Sequence, residues 1–398
     1  MKQAKHIHFM TIALTVFILS PILSTQETAV PDMTYILAMT IPPILYFATY
    51  AKHTKLKPHH IASFFLPFLA LISSLMSDNA VIDLRFFKYL LLVFYFVVIT
   101  NYRFSGNDLL FVGKIYIALS IVLGILIILS YQFGYVHNDS AYYMGRYSIG
   151  ITGLYKNPNY ITSFMNLALF VLLFRLFFCT IRGKQKYLTV SILILFLVSF
   201  YLSGTRASLV TVLFYSLFLF LFYLRTNTKN GNVISIVMAI FFCMAIVFFV
   251  IRNMDQVEYW VDMFVGGRDM FSDESRIVSW GLVIDKWSES FFWGQGLFSW
   301  YHFSTTDTLN NLHNVFIEFL LYQGIIGSAV LLFVILNGYS KIKKQDRIFV
   351  YGFLFVTAFP LFFQNGLIDV NFFKFLVMNR IVAQYSLSSK EGIVSILK

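Results

Sequence analysis

Residues 109–131 read LLFVGKIYIALSIVLGILIILSY, a run in which Lys114 is the only charged side chain. An α-helix rises about 1.5 Å per residue, so about 20 mainly apolar residues cross the roughly 30 Å hydrocarbon core of a bilayer. This stretch is long enough, and the chain repeats it on both sides. Apolar runs recur at about 7–24, 33–51, 59–77, 86–101, 109–131, 160–181, 187–203, 206–225, 233–251, 314–338, 348–366 and 370–388. The last is interrupted by Asn371, Lys374, Asn379 and Arg380. The spacing predicts an all-α polytopic membrane protein of about twelve transmembrane helices, a single integral membrane domain over residues 1–398.

Composition agrees. Of the 398 residues 58% are hydrophobic and only 12% charged, where a soluble domain carries roughly a quarter. The net charge of +11 invites a nucleic-acid reading. Its placement argues otherwise, because the basic residues sit in short blocks between apolar runs, as topogenic charges do. No basic stripe with interleaved aromatics occurs in a polar segment, which excludes nucleic acid as a partner. Cys179 and Cys243 lie at or within apolar runs without metal-ligand spacing, and both read as membrane packing. The first span has a basic leader (1–8) and an apolar stretch (11–23), as a signal peptide would. No small-residue cleavage site follows, and the expectation is a retained helix.

Orientation follows from the loops. With the N-terminus inside, Lys52, Lys55 and Lys57, then Arg182, Lys184 and Lys186, then Arg225 and Lys229, then Lys341, Lys343, Lys344 and Arg347 all fall in the cytoplasm. The opposite connections, 25–32, 77–84, 132–159 and 252–313, are poorer in Lys and Arg. The positive-inside rule therefore predicts two cytoplasmic termini. Two outer loops, 132–159 and 252–313, are long enough to be functional. Within the larger, Ser272-Asp273-Glu274 reads as a helix start, acidic where the helix dipole favours it. Ile277, Trp280, Ile284 and Trp287 then recur at helical spacing, which predicts an amphipathic helix on the membrane surface or over a cavity.

Three polar motifs interrupt the apolar pattern, each on the outer side and each opening a helix that runs inward. Asn157-Pro158-Asn159-Tyr160 precedes the sixth span. It reads as a helix start with Asn caps and Pro at the first position, or as a polar rim for a glycan or diphosphate. Ser203-Gly204-Thr205-Arg206-Ala207-Ser208 forms a very short outer turn, so Arg206 lies near the bilayer surface. A charge there snorkels to headgroups or serves a wet functional cavity. Asn310-Asn311-Leu312-His313-Asn314 opens the tenth span, with Glu318, Gly324 and Gly327 within it. A helix N-terminus disfavours imidazolium and attracts phosphate, so His313 is a candidate proton acceptor there, against the alternative of a structural histidine. Arg146 and Arg276 add two outer-face cations. Arg146, Arg206 and Arg276 together suit a dianion at the membrane surface, such as a lipid-linked diphosphate. The sequence offers no acidic pair or Cys/His set for a metal, no Walker loop and no G-x-S-x-G, so neither metal nor cofactor is expected.

Ser203-Gly204-Thr205-Arg206-Ala207-Ser208 resembles the S-G-[ST]-R-[AG] signature of the O-antigen ligase and Wzy-type polysaccharide polymerase superfamily. Ser275-Arg276-Ile277 through Trp293-Gly294-Gln295-Gly296 is similar to its R…G-x-G stretch. Leu312-His313-Asn314 with Gly324-Ile325-Ile326-Gly327 resembles its H-N…G-[IL]-[IVL]-G segment, and Asn157-Pro158-Asn159-Tyr160 its N-P-N element. The resemblance covers about residues 150–330. It implies a GT-C type membrane glycosyltransferase in a bacterial inner membrane, working without metal and with inversion at the anomeric carbon. Donor and acceptor would be undecaprenyl-diphosphate-linked oligosaccharides, and a chain-length regulator is a family expectation. Arg206 and Arg276 would neutralise the diphosphate leaving group and His313 would orient or deprotonate the acceptor hydroxyl. Arg146, Asn157, Asn159, Tyr160, Asn314 and Glu318 would bind substrate. A polymerase extends the chain on a new lipid-linked unit, whereas a ligase transfers it to lipid A–core; the expectation is polymerase. A transporter or flippase of lipid-linked sugars is the rival of another class, but the first spans carry no polar path and no matched halves with interrupted helices are evident.

Overall fold

In the computed structural model the residues described are 10–19, 41, 44–45, 48, 55–78, 80, 82, 84–133, 158–179, 181, 183–203, 205–228, 274–303, 312, 314–363, 370–389 and 392–397. Among them every regular element is helical. In chain order these are α1 (Met10–Leu19), α2 (Pro58–Leu75), α3 (Leu84–Asn101), α4 (Gly106–Gln132), α5 (Pro158–Phe178), α6 (Lys184–Leu202) and α7 (Arg206–Thr228). There follow α8 (Glu274–Glu289), the single turn α9 (Trp300–Phe303), α10 (Val315–Leu336), α11 (Arg347–Ala358), α12 (Val370–Ser388) and α13 (Ile393–Leu397). The expected spans at 33–51 and 233–251 lie largely or wholly outside the described residues.

Five helical stretches are long and apolar enough to cross a membrane: Pro58–Leu75, Gly106–Gln132, Ile161–Phe178, Lys184–Leu202 and Val315–Lys341. Shorter apolar helices cover Met10–Leu19, Phe86–Asn101, Ser208–Tyr223 and Arg347–Phe362. Their outer faces are apolar and open: Phe65, Phe68, Ile194, Leu213 and Phe214 are each half or more exposed. Water would penalise so much exposed apolar surface, and hydrocarbon does not.

The chain divides into two compact units, one comprising Met1–Leu119 with Glu274–Leu397 and the other Ser120–Asp273. In the first, α2 packs along α10, α3 along α12 and α8 across α10. Its core is aromatic: Phe17 stacks on Tyr95 with ring centroids 4.2 Å apart, and Tyr89, Phe96 and Phe372 are fully buried. In the second, α5 packs on α6 and α7, with Phe170 edge-on to Tyr215 at 5.8 Å.

The most unusual element is α10. Asn314 caps it, its Oδ1 accepting from the amides of Phe316 and Ile317 at 3.0 and 3.1 Å. Ten positions on, Gly324 leaves the helical region with φ 60° and ψ −163°, which breaks the backbone ladder. The chain following α8 inserts at the break. Gln295 N–H donates to Leu321 O at 2.6 Å, and the amides of Ile325 and Ile326 donate to Phe291 O and Phe292 O at 3.1 and 3.3 Å. The inserted segment also meets the end of α2, where Leu297 N–H donates to Ser74 Oγ at 2.9 Å, while Ser73 Oγ donates to Tyr322 O at 2.8 Å.

Candidate active site

Each polar motif opens a helix. Pro158 is the first residue of α5, Arg206 the first of α7, and Val315 follows its Asn314 cap at the start of α10. The acidic start expected near Ser272 is found, since α8 begins at Glu274. Arg146, Asn157 and His313 lie outside the described residues, as do the side chains of Asn159, Tyr160, Arg206 and Arg276, whose backbones sit on helices α5, α7 and α8.

Within the second unit the structure joins two of the motifs. Ser208, two residues after Arg206, donates through Oγ to Thr162 Oγ1 at 2.7 Å, three residues after Asn159. Both hydroxyls are fully buried, so this bond fixes the start of α7 to the start of α5. The turn between α6 and α7 is itself tied down. Ser203 Oγ donates to Phe200 O at 2.9 Å and lies 2.9 Å from Thr205 Oγ1, and neither residue is exposed. Hydroxyl bonds thus tie down the backbone on both sides of position 206.

Within the first unit the other two motifs meet. Trp280 on α8 donates through its indole N–H to Leu312 O at 2.9 Å, across 32 residues. Leu312 directly precedes His313, and position 276 lies one helical turn before Trp280 on the same face of α8. Glu318, in the first turn of α10, is only 9% exposed. The G-x-G glycines have a packing role. A Cβ on Gly294 (φ +79°) would stand 2.6 Å from Gly324 N and from Leu321 O, and one on Gly296 (φ +81°) 2.6 Å from the Ala80 methyl.

The apolar stripe expected on α8 is only partly the packed one. Ser279 and Val283 are buried, whereas Ile284 is 52% exposed. Trp287 turns its indole N–H to Phe291 O at 3.0 Å. Sequence reading also missed several buried polar groups within the spans. Asn166 on α5, one turn below Thr162, is fully buried with neither amide atom hydrogen-bonded. Gln323, next to the break, donates to Tyr89 Oη at 3.1 Å while its own Oε1 has no partner. Their signal was available, because a lone amide in an apolar run is costly in lipid.

Helices with apolar outer faces, polar starts and buried hydroxyl ties define a polytopic membrane protein with its polar motifs at helix ends. More particularly, residues 191–332 match the family model described as O-antigen ligase. The match takes in the Arg206 turn, α8 with its G-x-G and the His313 segment, while the Asn157–Tyr160 element lies outside it. No curated protein matches the chain.

Proposed function

We propose that the protein is a membrane glycosyltransferase that polymerises a polysaccharide such as an O-antigen or capsule. It would move a polyprenyl-diphosphate-linked glycan onto the next lipid-linked repeat unit. The observation that carries this reading is the Trp280–Leu312 hydrogen bond, which sets the helix bearing Arg276 against the segment bearing His313 inside the matched domain.

In the reaction, the acceptor hydroxyl attacks the anomeric carbon as the bond from that carbon to the diphosphate oxygen breaks. The hydroxyl proton passes to neutral His313, and the polyprenyl diphosphate leaves with its electron pair. Arg206 and Arg276 neutralise the charge that builds on the leaving group, in place of a metal. Attack from the face opposite the leaving group inverts the anomeric centre. Arg146, Asn157, Asn159, Tyr160, Asn314 and Glu318 contact the glycan or diphosphate. The fold around this chemistry is a GT-C type architecture of about twelve spans, with both termini cytoplasmic and the site on the outer face of a bacterial inner membrane. A chain-length regulator would act alongside.

The description of the matched family favours one other reading, an O-antigen ligase that transfers the same donor to lipid A–core. The test uses purified protein in nanodiscs with its lipid-linked repeat unit. Products are separated on a gel, with Arg206→Ala, Arg276→Ala and His313→Ala alongside. A ladder of lengthening lipid-linked glycan, lost in the variants, supports the polymerase. Transfer to added lipid A–core without a ladder moves the assignment to ligase. No covalent product with either acceptor, from folded protein, sinks both.

A further inference from the structure

The end of α10 away from its N-terminus holds a group of basic residues that the glycosyl transfer does not use. Arg380, on α12, is 6% exposed; it donates through Nη1 to Asn337 O, and its Nε has no partner. Lys57, at the start of α2, lies within electrostatic reach of both Arg380 and Arg103, the latter exposed on the turn after α3. Burial first, then the charges of Arg380 and Arg103, hold the Lys57 ammonium below its usual value. The neighbouring His60 supplies no counter-charge. His60 Nδ1 accepts from Lys57 N–H at 3.2 Å and lies 3.3 Å from Asn101 Nδ2, with Nε2 3.1 Å from Thr100 Oγ1.

The buried carboxylates at this end are occupied by neutral donors. Asp108 accepts from Thr11 Oγ1 at 2.8 Å, and from Ser105 Oγ and Ser105 N–H at 2.6 and 2.9 Å. Asp346 accepts from Ser386 Oγ at 2.6 Å and from the amides of Ile393 and Val394 at 3.0 and 3.2 Å. Among the described residues no acidic group pairs with Lys57 or Arg380. A buried cation without a counter-charge is costly, and an anion from outside the chain removes that cost.

Beside Lys57 a groove of about 490 Å³ opens between α2 and α10, lined by apolar groups of Pro58, Ile61, Phe65, Ala329 and Phe333. Cations at the end of an apolar groove match a molecule with a phosphate at one end and a hydrocarbon chain at the other. We propose that this end of the first unit binds an anionic phospholipid, its phosphate at Lys57, Arg103 and Arg380 and one acyl chain between α2 and α10.

The experiment is a native mass-spectrometric titration of the full chain in neutral detergent. Its arms are phosphatidylglycerol, phosphatidylcholine and inorganic phosphate. Phosphatidylglycerol binds tightest, and Lys57→Gln with Arg103→Gln weakens it about tenfold through lost charge-assisted hydrogen bonds. Neither residue is fully buried, so this pair remains informative if Arg380→Gln fails to fold. Ala62 also lines the groove, and Ala62→Phe, which fills it, weakens the lipid and leaves inorganic phosphate unchanged. Lys184→Gln with Lys186→Gln, exposed on α6, leaves lipid binding intact. Equal binding of the two lipids overturns the proposal, as does equal loss in the α6 variant, which would mean unspecific surface charge. Phosphate binding as tight as the lipid's overturns it in favour of a free-anion site.

Discussion

Gly294→Ala separates packing from ligand binding in the G-x-G stretch. The added methyl would lie 2.6 Å from Gly324 N and Leu321 O and 2.7 Å from Gln323 N, all backbone atoms that no side-chain rotation can clear. Placing a non-glycine residue at φ +79° costs about 1–2 kcal/mol. Forcing the inserted segment out of α10 adds about 1–3 kcal/mol by analogy with overpacked cores. The sum, about 2–5 kcal/mol, corresponds to a fall of about 2–6 °C in the thermal midpoint for a chain of this size. Fluorescence-detected size exclusion after heating in detergent measures it directly. Gly281→Ala is the control, because nothing stands within 4 Å of that position and its φ is ordinary; alanine there adds about 0.5–1 kcal/mol of helix stability. If Gly294→Ala melts with Gly281→Ala yet loses activity, the glycine serves a ligand and the packing argument fails.

Trp280→Phe keeps the ring but loses the N–H that reaches Leu312 O, costing about 1 kcal/mol of stability. A severalfold lower kcat at unchanged KM in the ladder assay is expected, and a change in KM alone would refute a positioning role. Ser208→Ala removes the donor to Thr162 Oγ1 and lowers stability by about 1 kcal/mol, read as a thermal shift; an unchanged midpoint would show that the tie is dispensable. Asp346→Ala strips the acceptor from Ser386 and from the amides of Ile393 and Val394, so a C-terminal tag becomes more susceptible to limited proteolysis. Protection equal to the parent's would mean that α13 is held by other contacts.

Helix positions were readable because hydropathy and helix length measure the same thing in a membrane. The runs at 59–77 and 314–338 fall within a few residues of Pro58–Leu75 and Val315–Leu336. The run at 348–366 shows the limit, since α11 stops at Ala358 and a tighter 3₁₀ turn covers Phe359–Phe363 around Pro360. Motif chemistry located the helix start at Pro158, because Asn and Pro mark such positions, and the end of the polar turn at Thr205 located the start at Arg206. Which motifs touch was not legible. The Ser208–Thr162 and Trp280–Leu312 bonds join residues 46 and 32 positions apart, and no local pattern encodes such distances. The break at Gly324 was equally hidden. A glycine in an apolar run reads as close packing, and only the partner segment 291–295 reveals an opened backbone.

That opening has a consequence for how the chain is made. Gly324 lies nine residues from the start of α10, about 13 Å along its axis, where the bilayer offers no hydrogen bonds. The amides and carbonyls freed at the break are answered by residues 291–295, and Leu297, two residues on, bonds in turn to Ser74 of α2. Inserted by itself, α10 would satisfy its backbone in hydrocarbon only as an unbroken helix through Gly324. The break therefore forms only once the preceding loop has folded back against α2. Substitutions at Ser74, Gly294 or Gly324 should then lower the yield of membrane-integrated protein before they alter any turnover rate.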